Sequence, residues 1–256
     1  MALFSFLKST ILSKVVMAVT GFIIVMYVVV HMIGNLQIYM GREVFNQYAY
    51  FLKSTGELLW IFRGVLLLSL ILHIITSIRL YFLNKGARDV KYKVRHYLKA
   101  KLTARTMIWT GIAIFAFVTY HILHLTAGVT NPEHYNSHEY YETNAVFVEE
   151  ETTEFADFGF DPLEEGQILK ERHDVYYMVV MGFRNPLISL AYIVGVIIVG
   201  FHLSHAMQSM FQSVGVSGPR FSPFMLSFSR TLAVLIVLGY ISIPVTVMLG
   251  LVGGCV

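Results

Sequence analysis

Six histidines lie inside long apolar stretches of the chain: His31, His73, His121, His124, His202 and His205. An ionisable side chain within a bilayer is costly, so its presence indicates a functional site. Outside the segment 129–174 the only acids are Glu43, Glu57 and Asp89, and none of them lies within an apolar stretch. A cation or proton transporter usually needs a carboxylate at that depth. Neutral imidazole ligation of a metal or a haem fits the residue types better.

The pattern T-G-x9-H occurs twice, from Thr20 to His31 and from Thr110 to His121. On an α-helix eleven residues make about three turns and rise roughly 16 Å, so each threonine lies on nearly the same face as its histidine. If both stretches cross a membrane in the same direction, His31 and His121 lie at one depth. The repeat therefore predicts a ligand shared between two helices.

The composition indicates an integral membrane protein, because 56% of the 256 residues are hydrophobic, 14% are charged and the mean hydropathy is +0.64. Five apolar stretches are long enough to span a bilayer: 15–36, 58–83, 106–128, 185–211 and 224–252. They are continuous and show no alternation, which favours helices over a membrane β-barrel. We therefore expect a single all-α membrane domain over 1–256. The first four of its five transmembrane helices should form a cofactor-binding bundle.

Charge predicts the orientation. The segment 84–105 carries eight Lys or Arg residues against Asp89 alone, so the positive-inside rule places it in the cytoplasm. The N-terminus is then cytoplasmic, and the C-terminus and the segment 129–174 are external. That segment holds 13 of the 16 acids and is interpreted as a solvated acidic loop. A surface metal site formed by its histidines, His134, His138 and His173, is a weaker alternative.

Depth then sorts the histidines into pairs. His31 and His121 lie near the outward ends of their spans, whereas His73 and His202 lie past the middle of spans that run inward. Two pairs at two depths predict two bis-histidine haems b stacked inside a four-helix bundle. His124 and His205 follow three residues after a ligand in each case, and we interpret them as supporting or interfacial residues. An H-x-x-H metal-transport site is the alternative, but it leaves the T-G-x9-H repeat unexplained. The lone Cys255 excludes an internal disulfide and the C-x-x-C-H attachment of a c-type haem.

Several stretches resemble a known family. They are the two T-G-x9-H motifs, HMIGNLQ followed by GREVFNQYAYFL, ILHIITSIRLYF in the second span and GFHLSHAMQSM in the fourth. Together they resemble the cytochrome b membrane anchor of succinate:quinone oxidoreductases and quinol:fumarate reductases, in the five-helix, two-haem class. The resemblance covers most of the chain, apart from the long acidic segment. It implies the haem ligands His31, His73, His121 and His202, the same four that depth selects.

The resemblance also implies the partners and the activity. The anchor has no dicarboxylate site; it exchanges electrons between a membrane quinone, often menaquinone, and a flavoprotein and an iron–sulfur subunit on the cytoplasmic side. The basic segment 84–105 could dock those subunits or contact anionic lipid. We expect a multi-pass protein of a bacterial cytoplasmic membrane, with no nucleic-acid partner.

The same family implies a quinone site near the outer haem, with an acid in the first interhelical link handling protons. The candidates are Asn35, Gln37, Arg42, Glu43 and Glu57, with Glu43 the nearest match for the acid. A di-haem anchor of another oxidoreductase, of the nitrate reductase, hydrogenase or formate dehydrogenase type, is the main alternative function. A histidine-based metal transporter is the second.

Overall fold

The computed structural model describes residues 9–87, 102–144, 167–216 and 218–254. In chain order the helices are α1 (Thr10–Leu36), α2 (Arg42–Ser54), α3 (Glu57–Gly86), α4 (Leu102–His121), α5 (Pro132–Tyr135), α6 (Val175–Arg184), α7 (Pro186–Ser213) and α8 (Phe221–Met248). Five of them, α1, α3, α4, α7 and α8, are long and apolar enough to cross a membrane. The predicted all-α, multi-pass membrane fold is confirmed.

The ends of the spans differ from the predicted ones by a few residues. Helix α1 begins at Thr10 because the Ser9 hydroxyl caps it, accepting a hydrogen bond from the Leu12 amide at 3.3 Å. Helix α4 ends at His121, and the chain continues as a π-helical turn over Ile122–Thr126. Such wider turns are frequent at functional sites, and this one carries His124.

The first four spans form two antiparallel pairs. Helix α1 packs along α3, and α4 packs along α7; we call these the first and second helix pairs. Arg79 near the end of α3 donates to the Ser13 hydroxyl and, at 3.4 Å, to the Ser9 carbonyl at the start of α1. This contact at one end of the first pair fixes the register between its helices.

The two pairs meet mainly through α1 and α7, and α8 packs against both of these helices. The phenol of Tyr240 on α8 donates to the Val28 carbonyl of α1 at 2.8 Å. Close approach is possible because small residues lie at the crossings: a Cβ at Gly239 would come within 2.6 Å of the Met32 sulfur. The fifth span is therefore part of the bundle rather than an addition beside the first four.

The membrane-facing surface is apolar, as the surface of a spanning helix must be. Trp60 and Trp109 are each 69% exposed, and most of the other exposed residues of α3 are aliphatic or aromatic. Polar groups inside the bundle are therefore exceptions to the apolar pattern of the spans, and each requires a physical reason.

The links at one end of the bundle are folded. The first link folds as α2, which follows Gly41, a residue with φ of +100°. Strands β1 (His138–Asn144) and β2 (Gln167–His173) form an antiparallel hairpin in which His138 lies opposite His173. Helix α6 follows at once and is largely buried.

The interpretation of 129–174 as a solvated loop is therefore wrong for the part that the structure describes. Residues 145–166, which hold many of its acids, lie outside the described residues. So do residues 88–101, which carry most of the predicted cytoplasmic basic segment.

Candidate functional site

The structure brings the rings of His31 and His121 together. Their centroids are 5.9 Å apart and their planes are nearly perpendicular, at 84°. Two imidazoles bound to one metal through bonds of about 2 Å have ring centres roughly 6 Å apart. The separation therefore fits two imidazoles bound to one metal. We call His31 and His121 the His31 layer.

Aromatic side chains surround this layer. Tyr27, one turn before His31 on α1, stacks on its ring at 5.3 Å and 11°, and Tyr240 lies 6.1 Å away. The ring of Tyr192 on α7 lies 5.9 Å from His121. These rings restrict rotation of the imidazoles and keep the layer apolar, which strengthens any electrostatic interaction within it.

His73 on α3 is held by the backbone and a side chain of α1. Its Nδ1 lies 3.2 Å from the Met17 carbonyl oxygen and 3.4 Å from Thr20 Oγ1. A carbonyl can only accept, so Nδ1 carries the proton and donates. The Thr20 hydroxyl donates to the Val16 carbonyl at 2.7 Å, which leaves its oxygen as an acceptor for His73. The other ring nitrogen, Nε2, then keeps its lone pair for a ligand.

His202 on α7 is held in the same way by α4. Its Nδ1 lies 3.0 Å from Thr110 Oγ1. The Thr110 hydroxyl donates within its own helix, to the carbonyls of Met107 at 3.0 Å or Thr106 at 3.3 Å. When the hydroxyl proton is directed to its own helix, the threonine oxygen accepts from His202 Nδ1–H, and Nε2 of His202 is again the nitrogen with the free lone pair.

The glycines of the repeat lie against the same two rings, tightly at Gly21 and at ordinary van der Waals distance at Gly111. A Cβ at Gly21 would lie 3.2 Å from Cε1 of His73, and one at Gly111 would lie 3.9 Å from Cε1 of His202. Each Thr-Gly dipeptide thus holds the histidine of the helix paired with it. We call His73 and His202 the His73 layer, because the two threonines that contact them occupy the same position in the repeat on α1 and α4.

The two layers lie at different depths. Thr20 on α1 and Thr110 on α4 lie at the depth of the His73 layer, because they contact its histidines. His31 and His121 come eleven residues later on the same helices. Eleven residues rise roughly 16 Å. Each helix pair therefore supplies one imidazole to each layer.

His124 is buried next to the His31 layer. It is 2% exposed, and its Nδ1 lies 2.9 Å from the Tyr192 hydroxyl. A Cβ at Gly182 would come within 3.1 Å of its ring, so glycine at that position admits the imidazole. Since Tyr192 also contacts His121, it bridges His124 and the layer. His205 lies within electrostatic range of His202.

Comparisons of the chain with protein-family models, with curated proteins and with solved structures find no match. The site is therefore described by its own geometry.

The predicted quinone residues at the His31 end fall into two groups. Arg42 and Glu43 belong to a polar cluster that joins α2 to the hairpin. The other three lie apart from it. Asn35 donates to the His31 carbonyl at 2.7 Å, Gln37 begins a short 3₁₀ turn (Gln37–Met40), and Glu57 is exposed in the first turn of α3.

We call the polar cluster that joins α2 to the hairpin the hairpin cluster; its members are Arg42, Glu43, Asn46, Glu139, Arg172 and Asp174. Arg172 contacts Glu43 with both terminal nitrogens and donates from Nε to Glu139 at 2.7 Å. Burial alone would lower the pKa of Arg172, but the bonds to Glu43 and Glu139 outweigh burial, so its pKa is raised. The arginine stays charged and paired.

The rest of the cluster ties Asp174 to the same helix. Arg42 pairs with Asp174 and, at 2.8 Å, with Glu139. Asn46 donates to Asp174 at 2.8 Å and accepts from the Tyr176 amide at 2.8 Å. Asp174 also caps α6, which explains where that helix begins.

The surface histidines do not converge on a metal. His173 Nε2 is bonded to the Tyr135 carbonyl, and burial lowers the pKa of His173. The His138 ring lies 5.8 Å from His173, and its Nδ1 lies 3.0 Å from the Asn136 carbonyl. Within the part of the chain that the structure describes, no group of three His, Cys, Asp or Glu side chains could hold a metal ion.

Proposed function

We propose that the protein is a di-haem cytochrome b that carries electrons across a membrane, with one haem b in each histidine layer. His31 and His121 would ligate one haem, and His73 and His202 the other. The observation that carries the proposal is the pair of layers itself: two depths, two imidazoles at each depth, and one imidazole from each helix pair.

The donor set fits a haem. A porphyrin supplies four nitrogens to its iron, so two neutral imidazoles complete the coordination, whereas a bare zinc ion needs about four ligands. In the His73 layer both Nδ1 atoms donate to oxygen, so both Nε2 atoms have free lone pairs. When bound, the haem would supply reversible one-electron chemistry, and the protein would supply position and potential.

The partners follow from the motifs that resemble the succinate:quinone oxidoreductase and quinol:fumarate reductase anchors. We propose a bacterial cytoplasmic membrane, with the N-terminus in the cytoplasm. A flavoprotein and an iron–sulfur subunit bind on that side. A membrane quinone, menaquinone by resemblance, exchanges electrons near the His31 layer. Glu43 remains the proposed proton-handling residue, and the anchor itself has no dicarboxylate chemistry.

The function is tested on the purified protein by visible spectroscopy, haem quantification and metal analysis. We expect two haems b per chain, reduction of both by dithionite, and oxidation of at least one by a menaquinone analogue. A protein that is free of haem but binds zinc would contradict the proposal and support the metal transporter. Two haems in a protein that copurifies with nitrate reductase, hydrogenase or formate dehydrogenase subunits would support the di-haem cytochrome but contradict the proposed partners.

A further inference from the structure

We propose that Thr20 and Thr110 are positioning residues that make each helix pair a preformed half of the His73-layer site. The inference rests on the proposed function in one respect, since the ligand of the layer is taken to be haem. Thr110 would set the tautomer and the direction of His202 before any cofactor binds, and Thr20 would share that role at His73 with the Met17 carbonyl, whose oxygen lies 3.2 Å from Nδ1.

Each threonine–histidine contact is made within one helix pair. Thr20 and His73 belong to the first pair, and Thr110 and His202 belong to the second. Each half therefore contains a ligand and the group that orients it. The His31 layer differs, since its two rings meet directly across the pairs.

The contacts with the threonine oxygens favour one tautomer of each imidazole. A neutral imidazole carries its proton on either nitrogen, and only the Nδ1–H form presents Nε2 to a metal. Both threonine oxygens accept, because their hydroxyl protons are directed to backbone carbonyls of their own helices. Donation from Nδ1–H also increases the electron density of the ligating nitrogen, which stabilises the ferric over the ferrous iron.

A purely structural role is the competing explanation, because threonines in helices often bond to the carbonyl four residues earlier. Thr119 provides the matched control on α4. Its hydroxyl donates to the Phe115 carbonyl at 2.8 Å, as Thr110 does to its own helix, but Thr119 is exposed. If back-bonding alone mattered, replacing Thr119 and Thr110 would have similar effects.

The experiment compares Thr20→Val, Thr110→Val and Thr119→Val with the wild-type protein. Valine keeps the shape of threonine but cannot accept the proton of Nδ1. The readouts are haem content, the rate of haem loss to an apo-globin acceptor and a redox titration. The haem missing from a His73→Leu variant identifies the His73 layer.

In Thr110→Val we expect the His73-layer haem to bind about 10- to 100-fold more weakly and its potential to become more positive. In Thr20→Val the same changes should be smaller, because the Met17 carbonyl still accepts from His73 Nδ1–H. The other haem should be unchanged, Thr119→Val should match wild type, and Thr20→Ser should restore wild-type behaviour. Equal effects on both haems, or no effect on the His73-layer haem, would overturn the inference.

A second measurement does not need the haem. Nitrogen NMR of histidine-labelled, haem-free protein should show His73 and His202 protonated at Nδ1, and Thr110→Val should weaken that preference at His202. Nε2–H tautomers in the wild-type protein would also overturn the inference. A wild-type protein that never contains haem would instead refute the proposed function, and the NMR result would still decide the role of the threonines.

Discussion

At the scale of single residues, the chemistry of the bundle depends on which nitrogen of each histidine is free. The sequence identifies the histidines, because ionisable residues are rare in apolar stretches. It also reveals the T-G-x9-H repeat. It cannot show that Thr20 contacts His73, because spacing along one helix does not say which face of a neighbouring helix packs there. Tyr192, which contacts both His121 and His124, had no signal in the sequence that set it apart from other aromatic residues of the span.

Glu43 is the residue whose proposed role the structure constrains most. Its carboxylate pairs with Arg172, and its side chain is 67% exposed. We expect Glu43→Gln to slow quinone turnover and leave both haems bound, because Glu43 is the exposed partner of the pair and Arg172 keeps its contact with Glu139. Steady-state quinone kinetics with haem quantification would test this. Glu57→Gln is the matched control, and slower turnover in Glu57→Gln alone would move proton handling to the start of α3.

At the scale of elements, the transmembrane helices could be predicted from the sequence and the hairpin with α6 could not. Long apolar stretches have one structural solution in a bilayer. The hairpin depends on contacts distant in sequence, since Arg172 meets Glu43 across 129 residues. Its strands, HEYYETN and QILKERH, are polar enough to resemble a loop. Helix α6 ends at Arg184, and α7 begins anew at Pro186 behind an Asn185 cap.

The hairpin cluster predicts a large effect of one substitution. Arg172→Met should loosen the hairpin from α2, since the arginine side chain is 3% exposed and its removal leaves Glu139 with Arg42 as its remaining cation. Leaving a buried charge unpaired costs about 3–5 kcal/mol, and the Arg42 contact should reduce the loss below that. Limited proteolysis and hydrogen exchange over residues 138–144 and 167–174 would measure it. Lys170→Met, on the exposed part of the same strand, should change little; equal protection in the two variants would contradict a stabilising role of the cluster.

At the scale of the whole molecule, two helix pairs of similar design face each other. Each pair carries a Thr-Gly dipeptide, a histidine eleven residues after the threonine and a second histidine on its other helix. The sequence predicts the five spans and which histidines share a depth, because depth follows from position along alternating helices. It does not predict the closeness of α8, whose Tyr240 lies beside His31. That placement depends on small residues at helix crossings.

Orientation in the membrane is the prediction that belongs to the whole chain. With the basic segment in the cytoplasm, a topology reporter inserted within 86–100 should be cytoplasmic, and one within 140–165 or after Val256 should be external. Alkaline phosphatase and green fluorescent protein fusions would distinguish the sides. An external signal from 86–100 would invert the assignment and place the His31 layer at the cytoplasmic side.

The most direct test of the di-haem proposal is haem content with redox titration in single histidine variants. If each layer binds one haem, His31→Leu and His121→Leu should lose or perturb the same haem, and His73→Leu and His202→Leu should affect the other. A double replacement within a layer should be little worse than either single one, because both remove the same bond network. His124→Leu and His205→Leu should keep two bis-histidine haems, with shifted potentials at most. Loss of the same haem from His31→Leu and His73→Leu, or loss of a haem from His205→Leu but not from His202→Leu, would contradict the two-layer assignment.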